Sequence, residues 1–378
     1  MEKKFFDKGF KLGILGGGQL GRMFIQEAIN YNIHVSILDP ASNAPCADSA
    51  HDFVIGDFND FDTVLNFGRN MDVVTIEIEH VNVTALYELE RLGVKVFPQP
   101  KVIELIQDKG LQKEFYQTNN IASSSYQLID REVTADDLPI VQKLRKGGYD
   151  GRGVVVLKEE NDLASSFKNA PTVLEKLVDI QKEISVIVAR NEAGEIKTFP
   201  TVELEFNSEV NLVEFIFSPA SVSEKVESEA QGLAKAIADK LDIVGLLAVE
   251  MFLTKTGKVL VNEIAPRTHN SGHQSIEGNI TSQFEQHLRS IINLPLGDTS
   301  ITQPSVMVNL LGEPNMSGSV IYEGIEELLA TPGAYLHLYG KSSTKPFRKM
   351  GHFTVLNPQL NEAKIVARRL KNVVKVVA

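Results

Sequence analysis

The sequence predicts a multi-domain protein of mixed α/β class (α/β with α+β parts), and three observations carry that prediction. The chain has 378 residues, more than one core of roughly 150 residues organises. Its first hundred or so residues alternate short apolar runs with helical patterns, as the strands and helices of a parallel sheet do. Beyond them, apolar strand pairs joined by glycine-containing turns replace that alternation.

Composition narrows the function classes. Hydrophobic residues make up 43% of the chain and charged residues 23%, which suits a globular protein rather than a disordered one. The net charge of −11 opposes a nucleic-acid grip spread over the surface, so no nucleic-acid partner is expected. A single cysteine, Cys46, forms no intramolecular disulfide, and residues 1–7 lack the apolar run of a secretory leader. No apolar stretch reaches the ~20 residues of a membrane helix, so no membrane partner is expected and the cytoplasm is the expected location.

Residues 11–15 form an apolar run that ends in Gly16-Gly17-Gly18-Gln19-Leu20-Gly21-Arg22-Met23, after which Phe24, Ile25, Ala28 and Ile29 recur at helical spacing. A second run, 34–38, ends at Asp39. Strand, glycine turn, helix and strand with Gly16-x-Gly18-x-x-Gly21 match a dinucleotide-binding fingerprint, with Asp39 as its acid, and an NAD-dependent oxidoreductase is one reading. The same glycines serve any anion at a helix N-terminus, or merely a tight turn. Runs at 72–78 and 94–97, separated by a helical pattern at 83–92, extend the parallel sheet, and Pro98 and Pro100 mark a boundary. Glu77 and Glu79, two apart near a strand end, share one face and point either at a ligand or at solvent.

The middle of the chain carries more chemistry. A helix is expected over Lys109–Thr118, a short element at 134–138, and strands at 140–144 and 154–157. The loop between those strands, Arg145-Lys146-Gly147-Gly148-Tyr149-Asp150-Gly151-Arg152-Gly153, has four glycines and three cations. With Lys143 beside it, this is the composition of a flap that lies along phosphates, although it lacks the GxxxxGK[ST] pattern of a P-loop. Residues 173–178 read as a further short strand, followed by the acid Glu183.

Two apolar strands, 247–253 and 259–264, flank Thr256-Gly257, a two-residue hairpin turn. In that register Glu250 faces Glu263 across the ladder, with Cβ atoms ~5 Å apart. Two like charges in so apolar a setting repel and lack water, and a bridging hard cation such as Mg2+ relieves both costs. Asn262 offers another oxygen beside the pair. The alternative is a protonated or surface-exposed pair. Ala265-Pro266-Arg267-Thr268-His269-Asn270-Ser271-Gly272-His273 follows directly, a polar loop without the HExxH spacing of a zinc helix.

The glycine-rich flap, the glutamate hairpin and this loop together resemble the ATP-grasp superfamily. Within it, four motifs in order resemble the N5-carboxyaminoimidazole ribonucleotide synthetase family: Gly-Gly-Gly-Gln-Leu-Gly-Arg-Met, Gly-Gly-Tyr-Asp-Gly-Arg-Gly, Asn-Glu-Ile-Ala-Pro-Arg-Thr-His-Asn-Ser-Gly-His, and Tyr339-Gly340-Lys341 with Arg348-Lys349-Met350-Gly351-His352. The resemblance covers nearly the whole chain. It implies an ATP-grasp fold with an N-terminal Rossmann-like pre-ATP-grasp domain (1–100), an ATP-grasp domain (101–300, with a flexible subdomain at about 120–180) and a small C-terminal domain (301–378).

The resemblance also implies the reaction. ATP and bicarbonate yield carboxyphosphate, and its carbon is captured by the amine of aminoimidazole ribonucleotide, a step of purine biosynthesis. In such enzymes Lys101 and Lys143 contact phosphates; Gly148, Tyr149, Asp150, Gly151, Arg152, Gly153 and Val154 cover them. Glu175, Lys176, Leu177 and Val178 hold adenine, Glu183 the ribose, and Glu250 and Glu263 the magnesium, with Asn262 beside them. Gln19, Leu20 and His273 meet the ribonucleotide, as does one of the two strand-end acids, Glu77 in preference to Glu79, and Lys341, Arg348 and Lys349 meet its phosphate. Asp150 is the expected base, with Tyr149 and Arg152 beside it, and Arg267 and His269 flank the carboxyphosphate. Cys46 has no expected role.

Where the family shows Glu-Asn-x-His, this chain has Glu203-Leu204-Glu205-Phe206, so Phe206 offers ATP only stacking or packing. The resemblance further implies a homodimer. A formate-dependent glycinamide ribonucleotide transformylase is the nearest alternative, sharing the glutamate hairpin but activating another acid. Past residue 300, runs at 305–310 and 352–356 read as strands and 362–374 as a helix with Ile365, Val366 and Leu370 on its apolar face.

Overall fold

The computed structural model describes residues 4–7, 9–148, 153–207 and 212–378. The N-terminal segment builds a five-stranded parallel sheet from Lys11–Leu15, His34–Asp39, Asp52–Ile55, Val73–Ile76 and Lys95–Val96, with Lys11–Leu15 at its centre. Parallel strands need helices on the faces, and Gln19–Asn30, Phe61–Gly68 and Val83–Arg91 supply them. The strand Asp52–Ile55 and the helix Phe61–Gly68 were not expected from the sequence. The second carried a legible start signal, since Asp60 caps it by accepting from the Thr63 amide.

A four-stranded antiparallel sheet follows, pairing Tyr126–Ile129, Thr172–Lys176, Ile140–Leu144 and Val154–Leu157 in that order. The expected flap hairpin is therefore present, with Lys143 opposite Val154. Tyr149, Asp150, Gly151 and Arg152 lie outside the described residues. Lys176, Leu177 and Val178 lead from this sheet into the long strand Ile180–Arg190.

That strand belongs to a nine-stranded sheet whose main path runs Val259–Ala265, Gly245–Thr254, Ile180–Arg190, Val202–Phe206, Val213–Ser218, Ser305–Leu311, Lys349–Leu356, Ala334–Leu338. One continuous sheet thus spans the middle and C-terminal segments. The helix Glu224–Leu241 lays Val226, Ala230, Ala234, Ile237 and Leu241 on the apolar face of Val186, Val188, Leu247 and Val249. The helix Leu360–Val373 does the same at the C-terminal end with Ala363, Ala367 and Leu370. Ile365, expected on that buried face, is 62% exposed; the inward stripe runs through two alanines, which let the helix approach the sheet closely. The glycine-turn helix packs Phe24 and Ile25 with Phe284, Leu288 and Ile291, so the first segment is fixed against the second. Among the described residues no helix is long and apolar enough to cross a membrane.

Candidate functional site

The glutamate hairpin positions the most unusual charges. Glu250 and Glu263 are paired across the ladder, as expected, but not through the expected turn. The loop has three residues, Lys255 to Gly257, closed by bonds from the Gly257 amide to Thr254 O and from the Thr254 amide to Lys258 O, and Gly257 takes φ +80°. The register near the turn is therefore one residue off the expectation, and a bulge between Glu250 and Met251 shifts it back. The extra residue is Asn262. Consecutive strand residues ordinarily face opposite ways, whereas at a bulge the local twist brings neighbours together. Asn262 and Glu263 accordingly meet the same cluster of lysines.

Lys143 Nζ donates to Asn262 Oδ1 at 2.9 Å and lies 3.1 Å from Glu175 Oε1. Lys109 Nζ donates to Glu263 Oε2 at 3.0 Å. Lys113 Nζ, 3.2 Å from Glu175 Oε1, also donates to Ser124 Oγ, which in turn donates to Glu175 Oε2 at 2.6 Å. The Lys109 charge holds the Glu263 carboxyl low. Burial, and then the Glu263 charge, push Glu250 up. Glu183 faces the same space and is pushed up to about 7 by burial. For Glu175, burial would raise the carboxyl, but the Lys143 and Lys113 charges outweigh it and hold it low.

Two of these lysines were missed by sequence reasoning, and one expected lysine does not join them. Lys101 is 57% exposed in its side chain and stands 3.8 Å from Asp242, apart from the cluster, where Lys109 instead faces Glu263. A signal existed. Lys109 opens a helix, where a cation opposes the helix dipole, and Lys113 follows one turn later on the same face, where the two like charges repel. Such a local conflict marks a site where function overrides stability. Arg145, counted among the flap's anion-facing cations, is instead committed to Asp108 by two bonds of 2.8 Å. Asp108 also caps the Lys109–Thr118 helix, so this pair ties flap to helix.

The second concentration lies at the C-terminal edge of the parallel sheet, where open α/β sheets bind ligands. A cavity of about 260 Å3 is lined by Gly16, Gly18, Asp39 and Glu77 on one side and by Lys341, Ser343 and Arg348 on the other. The dinucleotide reading of the glycine turn is corrected here. The Gly21 amide donates to Glu77 Oε2 at 2.5 Å and the Gly17 amide to Asp39 Oδ2 at 2.7 Å. The anion at this helix N-terminus is the protein's own. A Cβ on Gly18 would sit 2.0 Å from Glu77 Oε1, so glycine is required for the carboxylate to approach. Burial pushes Glu77 up to about 7, against the bonds from Gly21 and Gly18.

Glu77 and Glu79 lie just past the strand Val73–Ile76 rather than within it. They part company there: Glu79 Oε1 is 2.8 Å from Arg267 Nε, while Glu77 borders the cavity. Arg267 therefore stands between the two concentrations. His269 Nε2 is 3.7 Å from Glu250 Oε1. Asn270 and Asn309 exchange two amide bonds of 2.9 Å, anchoring the loop to the C-terminal part of the sheet.

Three residues expected at the ribonucleotide do not line this cavity. His273 is 2% exposed, bonded to Gln283 and stacked between Phe284 and His352, with burial holding its pKa well below the ordinary value; strands distant in sequence cover it. The Leu20 side chain packs in the N-terminal core, leaving Gln19 half-buried at the helix start. Lys349 is near enough to Glu250 to favour its ionised form and does not line the cavity. Phe206, at the end of its strand, packs beside Val202, Leu204, Ile216 and Met307. Cys46 is buried under the glycine turn with its Sγ 3.3 Å from Gly18 O, and burial raises its thiol, which suits packing rather than chemistry.

Comparison with known proteins agrees with this arrangement. Residues 10–107 match the ribonucleotide synthetase preATP-grasp domain, 109–284 the ATP-grasp domain, and 305–365 the phosphoribosylaminoimidazole carboxylase C-terminal domain. The chain is 37% identical over 372 residues to the N5-carboxyaminoimidazole ribonucleotide synthase of Bacillus subtilis, covering 96% of this chain and 95% of that one. The N5-carboxyaminoimidazole ribonucleotide synthetase of Thermotoga maritima superposes with a TM-score of 0.90 at 43% identity, over 98% of this chain and 99% of that one. The synthase of Aspergillus clavatus, solved with ADP and 5-aminoimidazole ribonucleotide, superposes with a TM-score of 0.88 at 35% identity, over 96% and 98%. The chain spans about two thirds of the length of the longer curated carboxylases that it also matches.

Proposed function

The chain belongs to the N5-carboxyaminoimidazole ribonucleotide synthase family, and from that premise we propose how its residues share the work. The reaction is the ATP-dependent carboxylation of 5-aminoimidazole ribonucleotide in purine biosynthesis. The observation that carries the division is the position of Arg267 and His269, between a lysine-faced carboxylate pair and a cavity with basic residues on its far wall.

ATP lies with its phosphates at Lys143 and Lys109, under the flap residues Gly148 and Gly153. Lys176, Leu177 and Val178 flank adenine by their backbone and Glu183 meets the ribose. Glu250 and Glu263 would hold Mg2+, with Asn262 beside them; the donor set fits, since Lys109 pairs with Glu263 while Glu250 is pushed up by burial and by the Glu263 charge, a cost that a hard cation would relieve. Bound there, Mg2+ supplies positive charge to the phosphate oxygens during phosphoryl transfer. Bicarbonate oxygen attacks the γ-phosphorus, the β–γ bond breaks with ADP leaving, and carboxyphosphate forms. Arg267 and His269 donate to its oxygens, charge stabilisation that needs no covalent nucleophile.

The ribonucleotide sits in the cavity with its ribose toward Glu77 and its phosphate at Lys341 and Arg348. Its amine takes the carboxyl carbon, phosphate leaves, and Asp150 accepts the amine proton. Because carboxyphosphate hydrolyses readily, flap closure precedes or accompanies its formation. Three domains with limits near residues 100 and 300, a homodimer and a cytoplasmic location complete this reading.

An ADP-release assay tests the substrate. Aminoimidazole ribonucleotide with bicarbonate is expected to drive ADP formation, and glycinamide ribonucleotide with formate is not. Release only with the second pair overturns the assignment.

A further inference from the structure

The loop that carries His269 is held by a directed chain of hydrogen bonds. The Ser271 amide donates to His269 Nδ1 at 3.3 Å, and Ser271 Oγ lies 2.9 Å from the same nitrogen. A backbone N–H cannot reverse its role, so Nδ1 must present a lone pair, and the neutral ring carries its proton on Nε2. The Ser271 hydroxyl, beside that lone pair, then donates as well. With its proton so used, its oxygen is left to accept from Ser185 Oγ, 2.9 Å away. The direction of the whole chain, Ser185 to Ser271 to His269, follows from one amide.

Burial and clamping make the chain rigid. Ser185 is 1% exposed and Ser271 2%. Ser185 is also the register partner of Glu250 on the neighbouring strand, so the chain starts in the same cross-strand row as the carboxylate pair. The backbone of His269 is fixed from the other side, its amide donating to Gln283 Oε1 at 2.9 Å and its carbonyl accepting from Gln283 Nε2 at 2.8 Å. The ring therefore has one tautomer and one orientation, with Nε2 3.7 Å from Glu250 Oε1.

We propose that Ser271, supported by Ser185, is a positioning residue for the phosphoryl-transfer step: it locks His269 as the Nε2–H tautomer, so that this N–H points toward the carboxylate pair, 3.7 Å from Glu250 Oε1, and can donate to the reacting phosphoryl oxygens. A donor aimed in advance needs no reorganisation when charge develops. The wrong tautomer would present a lone pair to anionic oxygens and repel them. This inference rests on the carboxylation reading for its kinetic consequence, but the tautomer itself is a property of the free enzyme.

The test combines nuclear magnetic resonance of the full chain, labelled with 15N at histidine, with steady-state kinetics. His269 resonances are assigned by their loss in His269→Gln. The wild-type protein is expected to show an unprotonated Nδ1 and a protonated Nε2. In Ser271→Ala the backbone amide alone is left to hold the tautomer, so an Nδ1–H form should appear beside a still dominant Nε2–H form, and kcat falls about tenfold or more while KM for ATP and for the ribonucleotide changes by less than about twofold, in line with the loss of an orienting partner. Ser185→Ala, a smaller change further from the ring, shifts both readouts the same way by about threefold, and it carries the test if Ser271→Ala fails to fold. A wild-type His269 protonated on Nδ1, or both serine variants with unchanged kcat and tautomer, overturns the proposal. A wild-type enzyme that releases no ADP with aminoimidazole ribonucleotide overturns the carboxylation reading instead, while the tautomer is still read.

Discussion

The Glu77 carboxylate accepts from the Gly21 amide at 2.5 Å, filling with an internal anion the helix end that a phosphate would otherwise occupy. The same side chain borders the cavity. The group that closes the glycine turn is thus also part of the cavity wall.

That dual position has a pH signature. Burial pushes Glu77 up to about 7, so the folded state binds its proton more tightly than the unfolded state does. Its contribution to stability is full below about pH 4.5 and declines as pH rises toward 7. The span corresponds to at most about 3 kcal/mol, and less in practice because the carboxylate borders the cavity. Thermal unfolding of wild type and Glu77→Gln from pH 5 to 8 checks this. Relative to the variant, wild type should lose stability with rising pH, and a constant difference would exclude the shift.

Exchanging the roles of two lysines gives a second prediction. Lys109→Met removes the Glu263 partner and should raise KM for ATP by more than about tenfold, the loss expected for a charge-assisted contact. Lys101→Met removes only a half-exposed contact with Asp242, worth about 0 to 1 kcal/mol. Its KM for ATP should stay within about twofold of wild type. Equal losses in both variants would return Lys101 to the phosphates.

Magnesium dependence follows from the carboxylate pair. With Glu250 pushed up by burial and by Glu263, a cation between them relieves a repulsion present in the free protein. MgCl2 with ADP should raise the melting temperature of wild type, by binding linkage of roughly 2 to 3 kcal/mol at a hundredfold excess over Kd. Glu250→Gln should lose most of that response, and ADP without metal should give little. A melting curve indifferent to Mg2+ in the presence of ADP would remove the metal assignment.

The legibility of this site in the sequence varied with the range of the interaction. The pairing of Glu250 with Glu263 was readable although the turn was not: a three-residue loop and the bulge at Asn262 displace the register in opposite senses and cancel. The βαβ start, the flap hairpin and the Lys109–Thr118 helix were readable because apolar periodicity and glycine turns are local. What failed was long-range. His273 is buried by Tyr339, just past one strand, and His352, within another, some seventy positions later in the chain, and no local spacing encodes that. The filling of the glycine turn by Glu77 joins residues 56 apart. Lys109 and Lys113 were visible only as a conflict with helix electrostatics.

The buried Lys113–Glu175–Lys143 arrangement yields the last prediction. Glu175 is 3% exposed, Lys113 3% and Lys143 7%, and both ammonium groups lie within 3.2 Å of Glu175 Oε1. One carboxylate thus compensates two buried cations, with Asn262 and Ser124 taking further protons. Removing its charge strands both lysines, and breaking a buried pair costs about 3 to 5 kcal/mol. Glu175→Gln should therefore lower the melting temperature more than Lys113→Met, which leaves Glu175 paired with Lys143. Burial already holds Lys113 below its ordinary pKa, so Glu175→Gln should recover part of its loss as pH rises toward 10 and a lysine sheds its charge, a reversal wild type should not show. Because Glu175 joins the flap sheet to the helix that carries Lys109, the variant should also raise KM for ATP; normal stability with normal ATP use would mean that the three charges are not coupled.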